Sequence, residues 1–150
     1  QEHLLVTPLQ MALVAGAVAN GGKVMEPHVL KQVTSPTGGT VVKVKPHLWR
    51  RAMKPQTAAV LNQMMQMVVQ SGTGTAAAIP GVKVAGKTGT AETGLSHVYT
   101  AWFIFFAPAD HPQVAGAIAV EHQLNGSGGA IAAPIAKQLM QAILASASKH

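Results

Sequence analysis

The sequence contains no cysteine among its 150 residues, and it has few charged or aromatic side chains. The absence of cysteine excludes disulfide bonds, thiol catalysis and zinc sites with thiolate ligands. Charged residues make up 11% of the chain and aromatic residues 4%, whereas 48% of it is hydrophobic. A chain this rich in apolar residues can bury a core, so the composition excludes an intrinsically disordered segment. The length is that of one domain.

Long apolar runs are absent as well. The longest one, residues 11–19, is followed by Asn20-Gly21-Gly22 and is too short to cross a bilayer, so we expect no transmembrane helix. No basic leader with an apolar core and a small-residue cleavage site opens the chain, so we also expect no signal peptide.

Acidic side chains are scarce, and the basic ones are clustered. Five acids against 11 lysines and arginines give a net charge of +6. Six basic side chains lie between positions 43 and 54, namely Lys43, Lys45, His47, Arg50, Arg51 and Lys54. Clustered cations are typical of nucleic-acid-binding surfaces, but Trp49 is the only aromatic residue in this segment, and base stacking needs repeated aromatics. We therefore predict a solvated hairpin end without a nucleic-acid partner, with attraction to an anionic envelope surface as the alternative.

Turn residues and periodicity predict the elements of the first half. A capping box at Thr7, with Pro8 at the first helical position, begins a helix that ends at Asn20-Gly21-Gly22. Two β-prone runs, residues 24–33 and 41–44, flank a Pro/Gly turn and predict a hairpin. A second helix is expected over residues 55–69, with an apolar core stripe of Val60, Leu61, Met64, Met65 and Val68.

The second half predicts a small sheet and a final helix. Strands are expected over residues 82–91, 99–107 and 114–120, and short links make them antiparallel. The middle strand is continuously apolar, which is typical of burial on both faces. The helix over residues 132–146 has two apolar stripes that we expect to pack on the sheet, Ile131-Ile135-Leu139-Ile143 and Ala132-Ala136-Met140-Leu144. The glycine-rich segment 125–129 is interpreted as a flexible loop without a chemical role. No linker divides the chain, so residues 1–150 are expected to belong to a single domain.

The most informative segment is Ala85-Gly86-Lys87-Thr88-Gly89-Thr90-Ala91. Glycines on both sides of Lys-Thr in a strand allow another backbone to approach closely. Lys87 supplies a positive charge, and the hydroxyls of Thr88 and Thr90 can donate to a carboxylate. On an edge strand, free amides can pair with an extended peptide, or one amide can face a developing oxyanion. The segment therefore predicts a site for a peptide that ends in a carboxylate.

Residues 81–88 also satisfy the phosphate-loop pattern G-x-x-x-x-G-K-[ST]. A phosphate loop follows a buried strand and opens a helix. Here Pro80 precedes the pattern, and the residues after it show no helical stripe. We interpret the match as accidental.

Several blocks of the sequence, in order and over nearly the whole chain, resemble the transpeptidase domain of class B penicillin-binding proteins, nearest to the actinobacterial PbpA-like type. The blocks are Val6-Thr7-Pro8-Leu9-Gln10, Ala19-Asn20-Gly21-Gly22, Ser71-Gly72-Thr73-Gly74-Thr75, the segment around Lys87, Ala101-Trp102-Phe103, Phe106-Ala107-Pro108 and Ala132-Ala133-Pro134-Ile135. The resemblance implies an α/β serine penicillin-recognising fold, an antiparallel sheet flanked by helices. Of this fold the chain is expected to supply about three strands and the C-terminal helix.

The resemblance also implies a D,D-transpeptidase that cross-links peptidoglycan stem peptides through an acyl-serine intermediate and binds β-lactams. By the same resemblance, Lys87 favours the anionic substrate, and Thr88 and Thr90 hold the carboxylate of its D-Ala-D-Ala terminus. Gly89 permits close approach, and the Thr90 amide forms half of an oxyanion hole. Trp102 buttresses the strand or is ordinary core. The expected site is thus catalytic at Lys87 and Thr90 and substrate-binding at Thr88, Gly89, Thr90 and Trp102, without a metal or cofactor.

The chain departs from the family pattern at the nucleophile. Of its six serines, only Ser146 begins a Ser-x-x-Lys, at the extreme C-terminus, and no Ser-x-Asn occurs. A frayed terminal turn cannot orient a nucleophile, so we reject Ser146. We expect the N-terminal half of the domain, with the nucleophile and a membrane anchor, to lie outside this chain, and the chain alone to be inactive. The implied location is the extracytoplasmic face of the cell membrane. A β-lactamase or D,D-carboxypeptidase of the same fold, or a non-catalytic binding module, are the alternatives.

Overall fold

A computed structural model describes residues 4–147. Helix α1 (Pro8–Ala19) begins with the predicted capping box: the Gln10 amide donates to Thr7 Oγ1 at 3.2 Å, and the Thr7 amide donates to Gln10 Oε1 at 2.8 Å. After the helix, Gly22 has a φ of 88°, and a Cβ there would lie 2.1 Å from the Met53 carbonyl oxygen. Only glycine fits this turn, so the helix ends where the sequence predicts.

Four short strands follow α1 and form two antiparallel pairs. They are β1 (Lys23–Met25), β2 (Gln32–Thr34), β3 (Thr40–Lys43) and β4 (Leu48–Arg51). β2 and β3 form the predicted hairpin, and β1 pairs with β4. The expected continuous strand over 24–33 is wrong, because Pro27 lacks an amide proton and splits the run into β1 and β2. We call residues 23–54 the β-arm.

Helix α2 (Pro55–Gln70) extends over the predicted range, but its apolar stripe is only partly core. Met65 is buried, whereas Val60 and Met64 are 49% and 56% exposed, which corrects the prediction for these two residues. The physical reason is the position of the helix. α2 packs against a strand at the margin of the main sheet, so only a narrow face of it is covered. A 3₁₀ turn (Thr75–Ala77) follows.

The main sheet contains three antiparallel strands in sequence order, β5 (Ala85–Glu92), β6 (Val98–Ala107) and β7 (Val114–Leu124). β6 is therefore central. Its Phe103, Phe105 and Phe106 are fully buried, but Trp102 and Ile104 are only half-buried. The prediction of burial on both faces is thus correct for the C-terminal part of β6 and wrong for the N-terminal part, where one face borders a cavity.

Helices cover both faces of this sheet. Helix α3 (Ala133–Ala147) follows a π-helical turn (Gly128–Ala132) and packs with Phe103 and Phe105, whose stacked rings have centroids 6.3 Å apart. On the opposite face, Phe106 packs with Val18 of α1 and Met65 of α2. The arrangement is an antiparallel sheet flanked by helices, as predicted.

The two apolar stripes of α3 do not pack on the sheet equally. Ala132, Ala136 and Met140 are fully buried, and Ile131 packs on the same core, whereas Ile135 and Leu139 are each 42% exposed, so the prediction is wrong for these two residues of the second stripe. Within residues 4–147, the stretch Gly128–Ala147 is long and apolar enough to cross a bilayer by length and composition, contrary to the sequence expectation. Its buried stripe, which includes Ala136 and Met140, packs on the core of the main sheet.

Candidate active site

Strand β5 presents the Lys-Thr-Gly-Thr segment at the margin of the main sheet. Among the described residues, no strand pairs with its outer edge, so the predicted edge strand is present. Side chains alternate along the strand: Lys87 and Gly89 share a face with their register partners Ile104 and Trp102 on β6. Thr88 and Thr90 project to the other face. This edge is therefore reachable from both faces and along its free backbone.

Lys87 holds its positive charge at this edge. Its side chain is exposed, and its Nζ donates a hydrogen bond of 2.7 Å to the carbonyl oxygen of Thr88. The ammonium group thus stays beside the strand that carries both threonines. A carboxylate placed along the edge would meet a positive charge and two hydroxyl donors.

The hydroxyl of Thr88 is oriented by a residue from another segment. Thr73 lies in the loop after α2, and its Oγ1 is 2.7 Å from Thr88 Oγ1. Either oxygen can be the donor; when Thr73 donates, the Thr88 proton points to a ligand. No site role was predicted for Thr73. The signal that could have found it is the Ser71-Gly72-Thr73-Gly74 block, which belonged to the resemblance.

The hydroxyl of Thr90 is oriented from the segment before α3. The Gly128 amide donates to Thr90 Oγ1 at 3.4 Å, which leaves the Thr90 proton available for a ligand. Gly128 is buried, and a Cβ there would lie 2.1 Å from the Trp102 carbonyl oxygen and 2.5 Å from the Gly89 carbonyl oxygen. Only glycine can pack this closely on β5 and β6. The interpretation of residues 125–129 as a flexible loop is thus wrong, because this close packing holds Gly128 against the site.

All five predicted site residues line one cavity of about 250 Å³. Lys87, Thr88, Gly89 and Thr90 come from β5, and Trp102 comes from β6. Val6, just before α1, and Met11, near the start of α1, contribute an apolar wall that the sequence did not predict. The half-buried Trp102 side chain therefore faces the cavity rather than lying wholly in the core. A Cβ on Gly89 would lie 3.2 Å from the Trp102 Cβ, so a small residue is favoured where the two strands meet.

Other candidate sites carry less chemistry. A larger cavity of about 550 Å³ lies between α1 and the start of β7, but its lining is mainly apolar, with Lys23 as its charged side chain. Strand β5 continues through Thr88 to Glu92 with no helix after it, so the phosphate-loop match is accidental, as predicted. Within residues 4–147, no three histidine, aspartate or glutamate side chains are grouped to hold a metal.

Within residues 4–147, the Asp110 carboxyl has a shifted pKa, and this residue lies outside the site. Asp110 occupies the turn between β6 and β7, where a hydrogen bond from its own backbone amide lowers its pKa below the usual 3.8. The Lys83 ammonium, 3.3 Å from Asp110 Oδ2, lowers this pKa further. Neither residue lines the cavity at β5, so we assign this pair a structural role.

Comparison with known proteins identifies the family. Residues 2–141 match the penicillin-binding protein transpeptidase domain. The chain is 42% identical, over 96% of its length, to the peptidoglycan D,D-transpeptidase PbpA of Mycolicibacterium smegmatis, of which it covers 30%. The imipenem acyl-enzyme complex of penicillin-binding protein A from M. tuberculosis superimposes with a TM-score of 0.85 at 40% identity, covering 96% of this chain and 32% of that one.

A third match comes from a different organism. The D,D-transpeptidase domain of a peptidoglycan glycosyltransferase from Eggerthella lenta superimposes with a TM-score of 0.83 at 38% identity, covering 94% of this chain and 33% of that one. The chain thus spans about a third of the length of these relatives. The predicted fold class is confirmed, and the chain belongs to the penicillin-binding protein transpeptidase domain family.

Proposed function

We propose that this chain supplies the Lys-Thr-Gly wall of the active site in a D,D-transpeptidase that cross-links peptidoglycan stem peptides through an acyl-serine intermediate. The observation that carries the proposal is the convergence of Lys87, Thr88, Gly89, Thr90 and Trp102 on one cavity at an unpaired strand edge. Relatives that are named peptidoglycan D,D-transpeptidases support it.

The geometry indicates how this wall would bind a D-Ala-D-Ala terminus or a β-lactam. The terminal carboxylate would accept hydrogen bonds from the hydroxyls of Thr88 and Thr90, with the Lys87 ammonium as a nearby positive charge. Gly89 would let the substrate backbone lie close to β5. The amide of Thr90 would donate to the oxygen that becomes negatively charged when the nucleophile attacks the carbonyl carbon. Trp102 would form the apolar floor.

The nucleophile in this proposal lies outside residues 1–150, which would be the C-terminal part of a single transpeptidase domain. Ser146, which opens the Ser-x-x-Lys of this chain, lies near the end of α3 and donates its hydroxyl proton to the Ile143 carbonyl oxygen at 2.7 Å. It does not line the cavity at β5. A serine in the preceding part of the domain would complete the site, at the extracytoplasmic face of the cell membrane.

Covalent labelling with a fluorescent penicillin tests the proposal. The full-length protein should form an adduct that survives denaturation, and mass spectrometry should place it on a serine outside residues 1–150. Residues 1–150 alone should remain unlabelled. Absence of an adduct on the full-length protein, or an adduct on Ser146, would contradict the proposal. Rapid release of the adduct would indicate instead a β-lactamase or D,D-carboxypeptidase, which hydrolyses its acyl-enzyme.

A further inference from the structure

The positive charge of the chain is concentrated in the β-arm. Residues 23–54 contain one acid, Glu26, and seven cationic side chains, namely Lys23, Lys31, Lys43, Lys45, Arg50, Arg51 and Lys54. This gives the β-arm a net charge of +6, which is the net charge of the whole chain. The remaining residues carry four charges of each sign and are neutral. The excess of positive charge is thus confined to the β-arm, and it favours the binding of an anionic partner at this surface.

The cations of the β-arm are exposed and largely without acidic partners. Every residue of β2, β3 and β4 is exposed, and Val24 is the single buried side chain between positions 23 and 54. The only acid of the β-arm is already paired, because Glu26 Oε2 lies 3.0 Å from His47 Nδ1. Within residues 4–147, no ion pair involves Lys43 or Lys45. These charges are therefore available to a partner in solution.

The cations also point in more than one direction. Arg50 and Arg51 are adjacent in β4, so their side chains leave opposite faces of the strand pair. Arg51 donates to the Gly21 carbonyl oxygen at 3.2 Å, and Arg50 lies 5.4 Å from the centre of the Trp49 ring. A flat lipid surface contacts one face of such a ribbon, whereas a flexible polymer chain can follow both. A second copy of the chain is disfavoured, because two arms of charge +6 repel each other.

We propose that the β-arm is a docking surface for the peptidoglycan polymer, through the free carboxylates of stem peptides that are not being cross-linked. This inference rests on the proposed function. The β-arm joins the end of α1, while Met11, near the start of α1, lines the cavity at β5. A helix of 12 residues spans about 18 Å, so one polymer can occupy both places, whereas a β-lactam reaches only the cavity. Contact at two places raises the effective concentration of polymer at the active site.

Co-sedimentation with purified insoluble peptidoglycan tests the inference. The full-length protein is first treated with penicillin, so that the active site is closed and only other surfaces contribute to binding. The double variant Lys43→Gln/Lys45→Gln should bind roughly fivefold more weakly than the wild type at low salt, since exposed ion pairs contribute modestly. Binding of the wild type should itself weaken as the ionic strength rises from about 0.05 to about 0.5 M.

The matched control removes the same charge elsewhere. Lys83→Gln/Lys137→Gln lies outside both the β-arm and the cavity. It breaks the Lys83–Asp110 ion pair, but exposed pairs contribute little to stability, so this variant should fold and bind peptidoglycan like the wild type. Both double variants should retain the wild-type rate of penicillin labelling, which measures the active site separately.

Equal sedimentation of the wild type and the β-arm variant, or equal losses of binding in the two double variants, would overturn the inference. So would β-arm-dependent binding to anionic lipid vesicles or to DNA without binding to peptidoglycan. If penicillin labelling fails while β-arm-dependent sedimentation persists, the proposed function is wrong and the docking surface stands.

Discussion

At the residue scale, the site depends on two threonine hydroxyls that other segments orient. The Thr88 hydroxyl forms a hydrogen bond with the Thr73 hydroxyl, and the Thr90 hydroxyl accepts a hydrogen bond from the Gly128 amide. Neither hydroxyl therefore rotates freely at the strand edge. The Gly128 contact leaves the Thr90 proton available for a carboxylate, and the Thr73 contact leaves the Thr88 proton available when Thr73 is the donor. Because the orienting groups come from loops on either side of β5, the site is an assembly of three segments rather than one motif.

The proposed role of Thr90 predicts the effect of removing its hydroxyl. Thr90→Val keeps the shape of the side chain but removes the donor to the ligand carboxylate. A hydrogen bond to a charged group contributes about 1.5–3 kcal/mol, so the rate of acylation by a fluorescent penicillin should fall at least about tenfold. Thr57→Val, on the exposed surface of α2, is the matched control and should label like the wild type. A Thr90→Val rate equal to that of the control would argue against a direct role for this hydroxyl.

The close packing of Gly128 predicts a stability effect. In Gly128→Ala, the new Cβ would collide with the backbone carbonyl oxygens of Trp102 and Gly89, which cannot move without shifting the strands. The free energy of unfolding should fall by about 3 kcal/mol, and penicillin labelling should slow as β5 is displaced. Denaturant unfolding of the full-length protein measures the first effect.

Gly16→Ala provides the comparison for that substitution. Gly16 lies within α1, and a Cβ there would meet only the Ala115 Cβ at 3.8 Å, which is an ordinary contact. Alanine is the better helix former by about 1 kcal/mol, so this variant should be as stable as the wild type or more stable. If the two glycine variants proved equally stable, the packing assigned to Gly128 would be wrong.

At the element scale, helix α3 packs on the sheet through one stripe. Met140 is fully buried against this core, whereas its neighbour Leu139 is 42% exposed. Met140→Ala should lower the free energy of unfolding by about 2–5 kcal/mol, because it leaves a cavity, and Leu139→Ala should lower it by less than about 1 kcal/mol. Thermal unfolding of the full-length protein measures both. The reverse order, with the larger loss at Leu139, would mean that α3 presents its other face to the core.

The sequence predicts elements well where the signal is local. The capping box at Thr7 begins α1, and the turn after Thr34 closes the β2–β3 hairpin, because both depend on residues a few positions apart. It misses β4, whose pairing with β1 joins residues more than 20 positions apart without alternating hydrophobicity. The prediction that the apolar stripes are buried is wrong at some positions for a related reason. Val60 and Leu139 are exposed because of what packs on the sheet, which no local pattern encodes.

In the candidate site, too, the sequence predicts residues that belong to a local motif and misses contacts between distant segments. Five of the residues that line the cavity, but not Val6 and Met11, were predicted, since four lie in one motif and the fifth lies in a block of the same resemblance. The groups that orient them were not, because Thr73 and Gly128 approach β5 from 15 and 38 positions away in the sequence. A single chain carries no local record of such contacts.

At the scale of the whole molecule, the chain combines a neutral sheet-and-helix body with a cationic β-arm. Within residues 4–147, neither β5 nor β7 has a strand partner on its outer edge. Unpaired edges promote association, so we expect residues 1–150 on their own to be poorly soluble. Size-exclusion chromatography with thermal unfolding tests this expectation. A soluble monomer that unfolds cooperatively would show that the body of the chain is self-sufficient.

The central claim is that the edge of β5 receives the carboxylate of the ligand. A crystal structure of the full-length protein acylated by a penicillin tests it most directly. We predict a drug carboxylate within hydrogen-bond distance of the Thr88 and Thr90 hydroxyls, with Lys87 beside it and Trp102 in contact with the drug. An adduct whose carboxylate points away from β5 and is held by other residues would contradict the account.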